Sequence, residues 1–321
     1  MFLRHTAPDQ APLLAAAAIA ACRLPGGWTT PLQPRMLEVL FAHLLGLDLD
    51  LEQLEPALPI QLALALPDPG QRQELIELLV TLELLCDPIP EALQASIEHW
   101  AAVLEVESDA LRLTRDLCNR AASLATADFY RLSWIGELAR EDPDLPRLLQ
   151  RYGTPAFALT LEPDPAEAAR WRGLQQCPAG SLGRAMWDFY DERGFQPPGE
   201  VGAVSPALAR HDWVHVITGY GTTPLGELQV AGFDAAASDS RPAFLNFLGA
   251  VSLYETGLLH SLVVKQPGHG VLSAAGSPEQ LAEAIRLGRL CPVDPLHEVE
   301  YFAIADQPLA AIRRAWGLAE L

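Results

Sequence analysis

Lysine is almost absent. Lys265 is the only one, the other basic side chains are arginine, and 22 Lys and Arg stand against 41 Asp and Glu, for a formal net charge of −19. A surface this acidic repels phosphate backbones and anionic lipid headgroups. Nucleic acid is therefore excluded as an expected partner, and so is membrane docking through a basic patch; an apolar patch leaves peripheral contact with the inner face of a membrane open. Aromatic residues supply only 7% of the chain, whereas Leu and Ala dominate, a composition that favours helix. The five cysteines (Cys22, Cys86, Cys118, Cys177 and Cys291) are odd in number, scattered and without CxxC spacing. They read as free thiols in a reducing, cytoplasmic compartment rather than as a disulfide framework or a structural zinc site.

Long apolar runs are missing too. The nearest to a membrane span is FLNFLGAVSLYETGLLHSLVV (244–264), which Asn246, Glu255 and His260 interrupt, so a buried helix is expected there and no transmembrane span. The segment APLLAAAAIAACR (11–23) contains IAAC, which resembles a lipoprotein cleavage site. Its start carries Asp9 and two prolines, however, and its apolar run is short. An alanine-rich first helix is the expectation.

What is present is helical periodicity. With 321 residues, half of them hydrophobic, the chain has material for about two domains. Residues 35–47 and 71–86 carry apolar stripes at helical spacing, the second through Leu75, Ile76, Leu78, Leu79, Leu82 and Leu85. Residues 87–106 read as an Asp87 cap, a turn and a helix, and 108–140 continue in the same manner. Pro and acidic residues gather at 141–146 and 162–167, which puts a boundary in that region. Helices are expected again at 181–195 with Ser181 as cap, 206–219, 225–236, 243–264 and 278–288. The expected fold is all-α, in two helical domains, 1–145 and 146–321. The first half resembles the small helical domain of tellurite-resistance-B-like proteins, through LELLCDPIPEALQASIEHWAAVLEV (82–106) with Asp87 and Glu91 at the helix junction.

The second half carries HDWVHVITGYGTTPLGE (211–227). On a helix His211 and His215 stand one above the other, and Asp212 projects about 100° further round. Gly219, Gly221 and the Thr-Thr-Pro break end that helix, with Thr223 as a cap and Pro224 in the first turn of the next. Glu227 then falls in that first turn, where the helix dipole favours its charge. A capping box would explain Glu227 without a metal, but it needs a Thr three residues earlier, and Pro224 stands there. A helical hairpin would bring two imidazoles and one or two carboxylates to one point, a set suited to zinc, or to divalent iron or manganese. Asp212 serves in this as an oxygen ligand or as the group that fixes a histidine tautomer. The zinc-peptidase pattern needs His-Glu-x-x-His, and Asp212 departs from it. The His-Asp doublet is shared with HD phosphohydrolases, but the nearest upstream histidine is His99, across the expected boundary.

His-Asp-x-x-His followed by eleven residues and Glu resembles the signature of the Coq-four family, the fourth subunit of the coenzyme Q biosynthesis complex. CPAGSLGRAMWDFY (177–190), TPLGELQVAGF (223–233), AIRLGRL (284–290) and QPLAAIRRAWGL (307–318) resemble further family segments in the same order, over about residues 170–321. The resemblance implies an all-helical fold and a divalent metal, zinc first and iron or manganese as alternatives, held by His211, Asp212, His215 and Glu227. It implies a groove for a polyprenyl tail, oxidative decarboxylation and hydroxylation of a prenylated aromatic precursor in ubiquinone biosynthesis, and contacts with other quinone-biosynthesis enzymes in a homo-oligomer. A non-catalytic prenyl-lipid-binding scaffold is the alternative. The expected tail-lining residues are Phe244, Phe247, Leu248, Val251, Leu258, Leu259 and Leu262. The N-terminal half lies outside the resemblance.

Overall fold

The computed structural model describes residues 2–118, 122–264 and 268–318. Among them the chain is helical throughout, with sixteen α-helices, no strand and three isolated β-bridges. Among the described residues no helix is long and apolar enough to cross a membrane. The first half runs through α1 (Ala11–Cys22), α2 (Leu32–Leu45), α3 (Pro59–Ala65), α4 (Pro69–Glu83), α5 (Glu91–Leu104), α6 (Asp109–Cys118), α7 (Ala122–Leu132) and α8 (Trp134–Ala139). The second continues with α9 (Leu145–Tyr152), α10 (Pro165–Gly173), α11 (Leu182–Arg193), α12 (Arg210–Thr218), α13 (Pro224–Ser238), α14 (Arg241–Val251), α15 (Ser277–Leu290) and α16 (Leu309–Ala315).

Local sequence explains where many of these begin. Asp68 accepts from the Gly70 amide at 2.8 Å to open α4, and Ser181 accepts from the Arg184 amide at 3.2 Å to open α11. The alanine-rich segment is α1, buried on almost every side between α4 and α5. A helix that is apolar all round must be enclosed, and alanine lets its neighbours come close. Asp87 does not cap α5 as expected. The chain bends at Asp87 and Pro88, and Pro90 is extended at the N-cap position, so α5 starts only at Glu91 with no side-chain cap. The Asp87 carboxylate stands instead 3.6 Å from His269 Nε2.

Two cores fill the molecule. The larger joins side chains from both sides of the boundary expected at 145/146, among them Met36, Trp134, Phe244, Phe247 and Ile285. Helix α2 packs directly on α15. The two expected domains therefore share one core, because the apolar stripe of each half is covered by the other. The smaller core gathers Trp171, Met186, Trp213, Ile217, Phe233 and Trp316. Helix α13 feeds both, with Leu228 and Ala231 facing one and Val230 and Phe233 the other.

The helix expected over 243–264 is shorter. It ends at Val251, passes into a π-helical turn at Ser252–Thr256, and stops at Gly257 in the left-handed region with φ 68°. The buried Glu255 carboxylate accepts from the Leu272 amide at 2.6 Å and the Ser273 hydroxyl at 3.0 Å. That tie draws the chain back on itself where the helix would have continued.

Candidate metal centre

Helix α12 ends at Gly219, which adopts the left-handed conformation (φ 79°). Thr223 then caps α13 by accepting from the Gly226 amide at 3.2 Å, with Pro224 in the first turn. The connection folds tightly onto α13. A Cβ on Gly226 would lie 1.7 Å from the Gly221 carbonyl oxygen, so only glycine fits. This hairpin brings His211 and His215 of α12 against Glu227 of α13.

The three side chains form the one cluster of potential metal ligands among the described residues. His211 Nε2 is 3.0 Å from Glu227 Oε2, His215 Nε2 is 3.4 Å from Glu227 Oε1, and the two Nε2 atoms are 3.0 Å apart. Donor atoms at ~2.0–2.1 Å from a tetrahedral zinc stand roughly 3.3 Å from one another. The donors lie close enough together to share one ion, and the residues fit a divalent metal.

The far side of each ring is anchored. His215 Nδ1 donates to the Tyr220 carbonyl at 3.0 Å, which fixes the tautomer that leaves Nε2 free to ligate. Phe189 stacks on its ring at 5.9 Å between centroids. His211 Nδ1 lies 3.4 Å from Asp234 Oδ2. Carboxylates and carbonyls behind metal-bound imidazoles orient them and raise their basicity. Asp234 was not anticipated from the sequence; it sits two turns along α13 from Glu227, on the same face, and is almost wholly buried.

Electrostatics follow from this enclosure. Burial disfavours a charged His211, yet hydrogen bonds and charge from Asp234 and Glu227 outweigh it and push its pKa up to about 10. Burial also works against a charged Glu227, but its hydrogen bonds with both histidines hold it well below the usual carboxylate range. Burial raises the pKa of Asp234 and of Asp212, against the pull of their partners.

Asp212 stands beside this cluster and is not part of it. Its Oδ2 accepts from the Tyr190 hydroxyl. His211, Asp212 and Glu227 all line a cavity of about 860 Å³. Its wall comes from both halves of the chain, with Phe129, Tyr130, Trp134 and Ile135 from the first and Leu208, Leu253 and Leu259 from the second. Of the expected tail-lining residues only Leu259 reaches this space; Phe244, Phe247, Leu248 and Val251 point into the larger core. The cavity takes the other face of α14. Asp87 and Glu91 join no ligand cluster among the described residues.

Neither the known protein-family models nor the characterised proteins searched give a match to this chain.

Proposed function

We propose that this chain is a metal-dependent enzyme acting on the ring of a prenylated aromatic acid, in the manner the Coq-four resemblance implies for quinone biosynthesis. The observation that carries the reading is a His-His-Glu donor set, two of whose members, His211 and Glu227, line a large cavity with a largely apolar wall, His215 lying buried behind them. Three protein donors with a fourth position left for water or substrate are the pattern of catalytic zinc, whereas structural zinc is closed by four. Cavities of ~300–1,000 Å³ with a few convergent polar groups are typical of small-molecule sites.

His211, His215 and Glu227 would hold the ion, with zinc favoured by this donor set and iron or manganese as alternatives. When bound, the ion supplies Lewis-acid polarisation of a substrate oxygen and stabilises negative charge on the ring. Asp234 and the Tyr220 carbonyl keep the imidazoles aimed. Tyr190 holds the Asp212 carboxylate at the cavity wall, and Phe129, Leu253 and Val263 shelter an isoprenoid tail from water. In the proposed reaction the ring carboxylate leaves as carbon dioxide and its bonding pair stays on the ring carbon. That carbon takes one oxygen atom from dioxygen to become a phenol. The other oxygen atom leaves as water, with two electrons from an external hydride donor of the reduced-nicotinamide class, supplied in the assay, and protons from solvent.

The test is elemental analysis of purified protein beside a His211→Ala/His215→Ala variant, followed by carbon dioxide release from a prenylated hydroxybenzoic acid. About one equivalent of metal in the wild type alone, together with metal-dependent release, supports the proposal. Metal-free protein after reconstitution overturns it. Metal and lipid binding without turnover would favour a second reading, a non-catalytic prenyl-lipid-binding scaffold, which rests on the apolar wall of the same cavity.

A further inference from the structure

Helix α14 and its π-helical turn present one face to the cavity through Asn246, Gly249, Ala250, Leu253 and Tyr254. Their spacing, i, i+3, i+4, i+7 and i+8, is that of a single helical stripe. The stripe carries two polar side chains, Asn246 and Tyr254, and the buried tyrosine at its end needs a reason.

Tyr254 is 5% exposed. A buried tyrosine hydroxyl normally finds a hydrogen-bond partner, because an unmade bond is costly. Tyr190 donates to Asp212, Tyr301 to the Pro295 carbonyl, and Tyr130 accepts from the Leu262 amide. The Tyr254 hydroxyl has no partner among the described residues, and it is not among the polar atoms sealed inside protein. It opens on the cavity.

The position is also rigid. The Ser252 hydroxyl donates to the Leu248 carbonyl at 2.8 Å, the Thr256 hydroxyl to the Ser252 carbonyl at 3.2 Å, and Glu255 ties the turn to residues 272–273. Single π-helical turns inside helices frequently mark functional sites. Burial, with Glu227 and then Tyr130 adding to it, holds the Tyr254 phenol well above its ordinary pKa. The hydroxyl therefore keeps its proton, and Glu227 is near enough for its charge to be felt.

We propose that Tyr254 is a specificity-determining residue, whose hydroxyl donates a hydrogen bond to a ring oxygen of an aromatic ligand bound beside His211 and Glu227. This rests on the functional reading above. It goes further by naming a phenolic oxygen as the feature recognised and Tyr254 as the group that recognises it. A site built to pair with a hydroxyl rejects the analogue lacking it, because its own polar group is then left unpaired.

The experiment measures binding of two probes, a prenylated 4-hydroxybenzoate and the same molecule without the ring hydroxyl, to the zinc-reconstituted full chain and to its Tyr254→Phe variant. The expected result is that the wild type prefers the hydroxylated probe by about tenfold or more. The variant should bind the deoxy probe as the wild type does and lose the preference, with metal content and melting temperature unchanged. An unchanged preference in the variant overturns the role of Tyr254 and leaves the proposed function standing. Binding of neither probe to metal-loaded wild type overturns both the ligand class and the role of Tyr254. The metal content of the same samples reports separately on the centre.

Discussion

The Nε2 atoms of His211 and His215 face each other at 3.0 Å, with the Glu227 carboxylate across from both. His215 Nε2 presents a lone pair and His211, its pKa raised to about 10, carries a proton without metal, so an ion bound here would take the place of that proton between the rings. A bound ion stabilises the fold through linkage, by about 2.7 kcal/mol when free metal is 100 times its Kd. Zinc should therefore raise the melting temperature of the metal-stripped protein by several degrees. The His211→Ala/His215→Ala variant should show no such rise. An equal rise in both proteins would place the metal elsewhere.

Asp234 stands behind His211, with Oδ2 3.4 Å from Nδ1 and Oδ1 buried without a partner. Loss of such an orienting partner costs ~10–100-fold in metal affinity. Asp234→Asn should weaken zinc binding within that range in a competition titration while the helical content stays constant. Unchanged affinity would reduce Asp234 to a packing residue.

The hairpin that carries the centre was legible because its signals are local. Gly219 and Thr223-Pro224 mark the end of one helix and the start of the next, and four-residue spacing places His211 and His215 on one face. Asp234 was not, since a carboxylate in an apolar stretch acquires its meaning from the histidine across the helix pair. The cavity was also out of reach, as it sets Phe129 and Trp134 against residues a hundred positions away in the chain. The length of α14 depended on Glu255 finding Leu272 and Ser273, again a tertiary event. The all-helical class followed from periodicity alone. The shared core did not, because prolines and acids at 141–146 mark a turn equally well inside one packed body or between two.

Asp212 separates the family resemblance from the geometry. The resemblance makes it a metal ligand, whereas here its carboxylate is engaged by Tyr190. Asp212→Asn should leave metal stoichiometry near that of the wild type, because three donors remain in place. A variant that loses its metal as the double histidine variant does would make Asp212 a fourth ligand.

Away from the centre, His297 links two distant parts of the chain. Its Nδ1 lies 2.9 Å from Asp294 Oδ2 and its Nε2 3.2 Å from Glu137 Oε2 on α8. The hydrogen bond with Asp294 raises the His297 pKa, burial opposes it, and Glu137 adds to the rise. A raised histidine pKa gives stability that is complete below the unfolded value of about 6.5 and fades as pH climbs through the folded value. Burial pushes the Asp294 carboxyl up, but His297 and nearby donors bring it below its ordinary value, so that partner's contribution fades only towards acid pH. Because the cluster is partly exposed and screened, His297→Gln should cost no more than about 1 kcal/mol. The difference in melting temperature between wild type and variant should shrink across the pH window that runs upward from about 6.5, the unfolded histidine value, through the raised folded one. A difference that holds constant across that window would mean that packing, not charge, is what His297 supplies.

Gly226 offers the sharpest test of the hairpin itself. Its absent side chain is what lets the 219–223 connection lie on the first turn of α13, since a Cβ there would overlap the Gly221 carbonyl. Gly221 has open space at the corresponding point, which makes Gly221→Ala a matched control. Gly226→Ala should cost about 1–3 kcal/mol as an overpacked site. Because Glu227 is the next residue, displacement of the turn carries one of the three donors with it. Metal affinity should therefore fall more steeply than stability in Gly226→Ala and change little in Gly221→Ala. Parallel losses in both variants would show that the connection tolerates either glycine equally, and the close approach would then not be what sets Glu227 opposite the histidines.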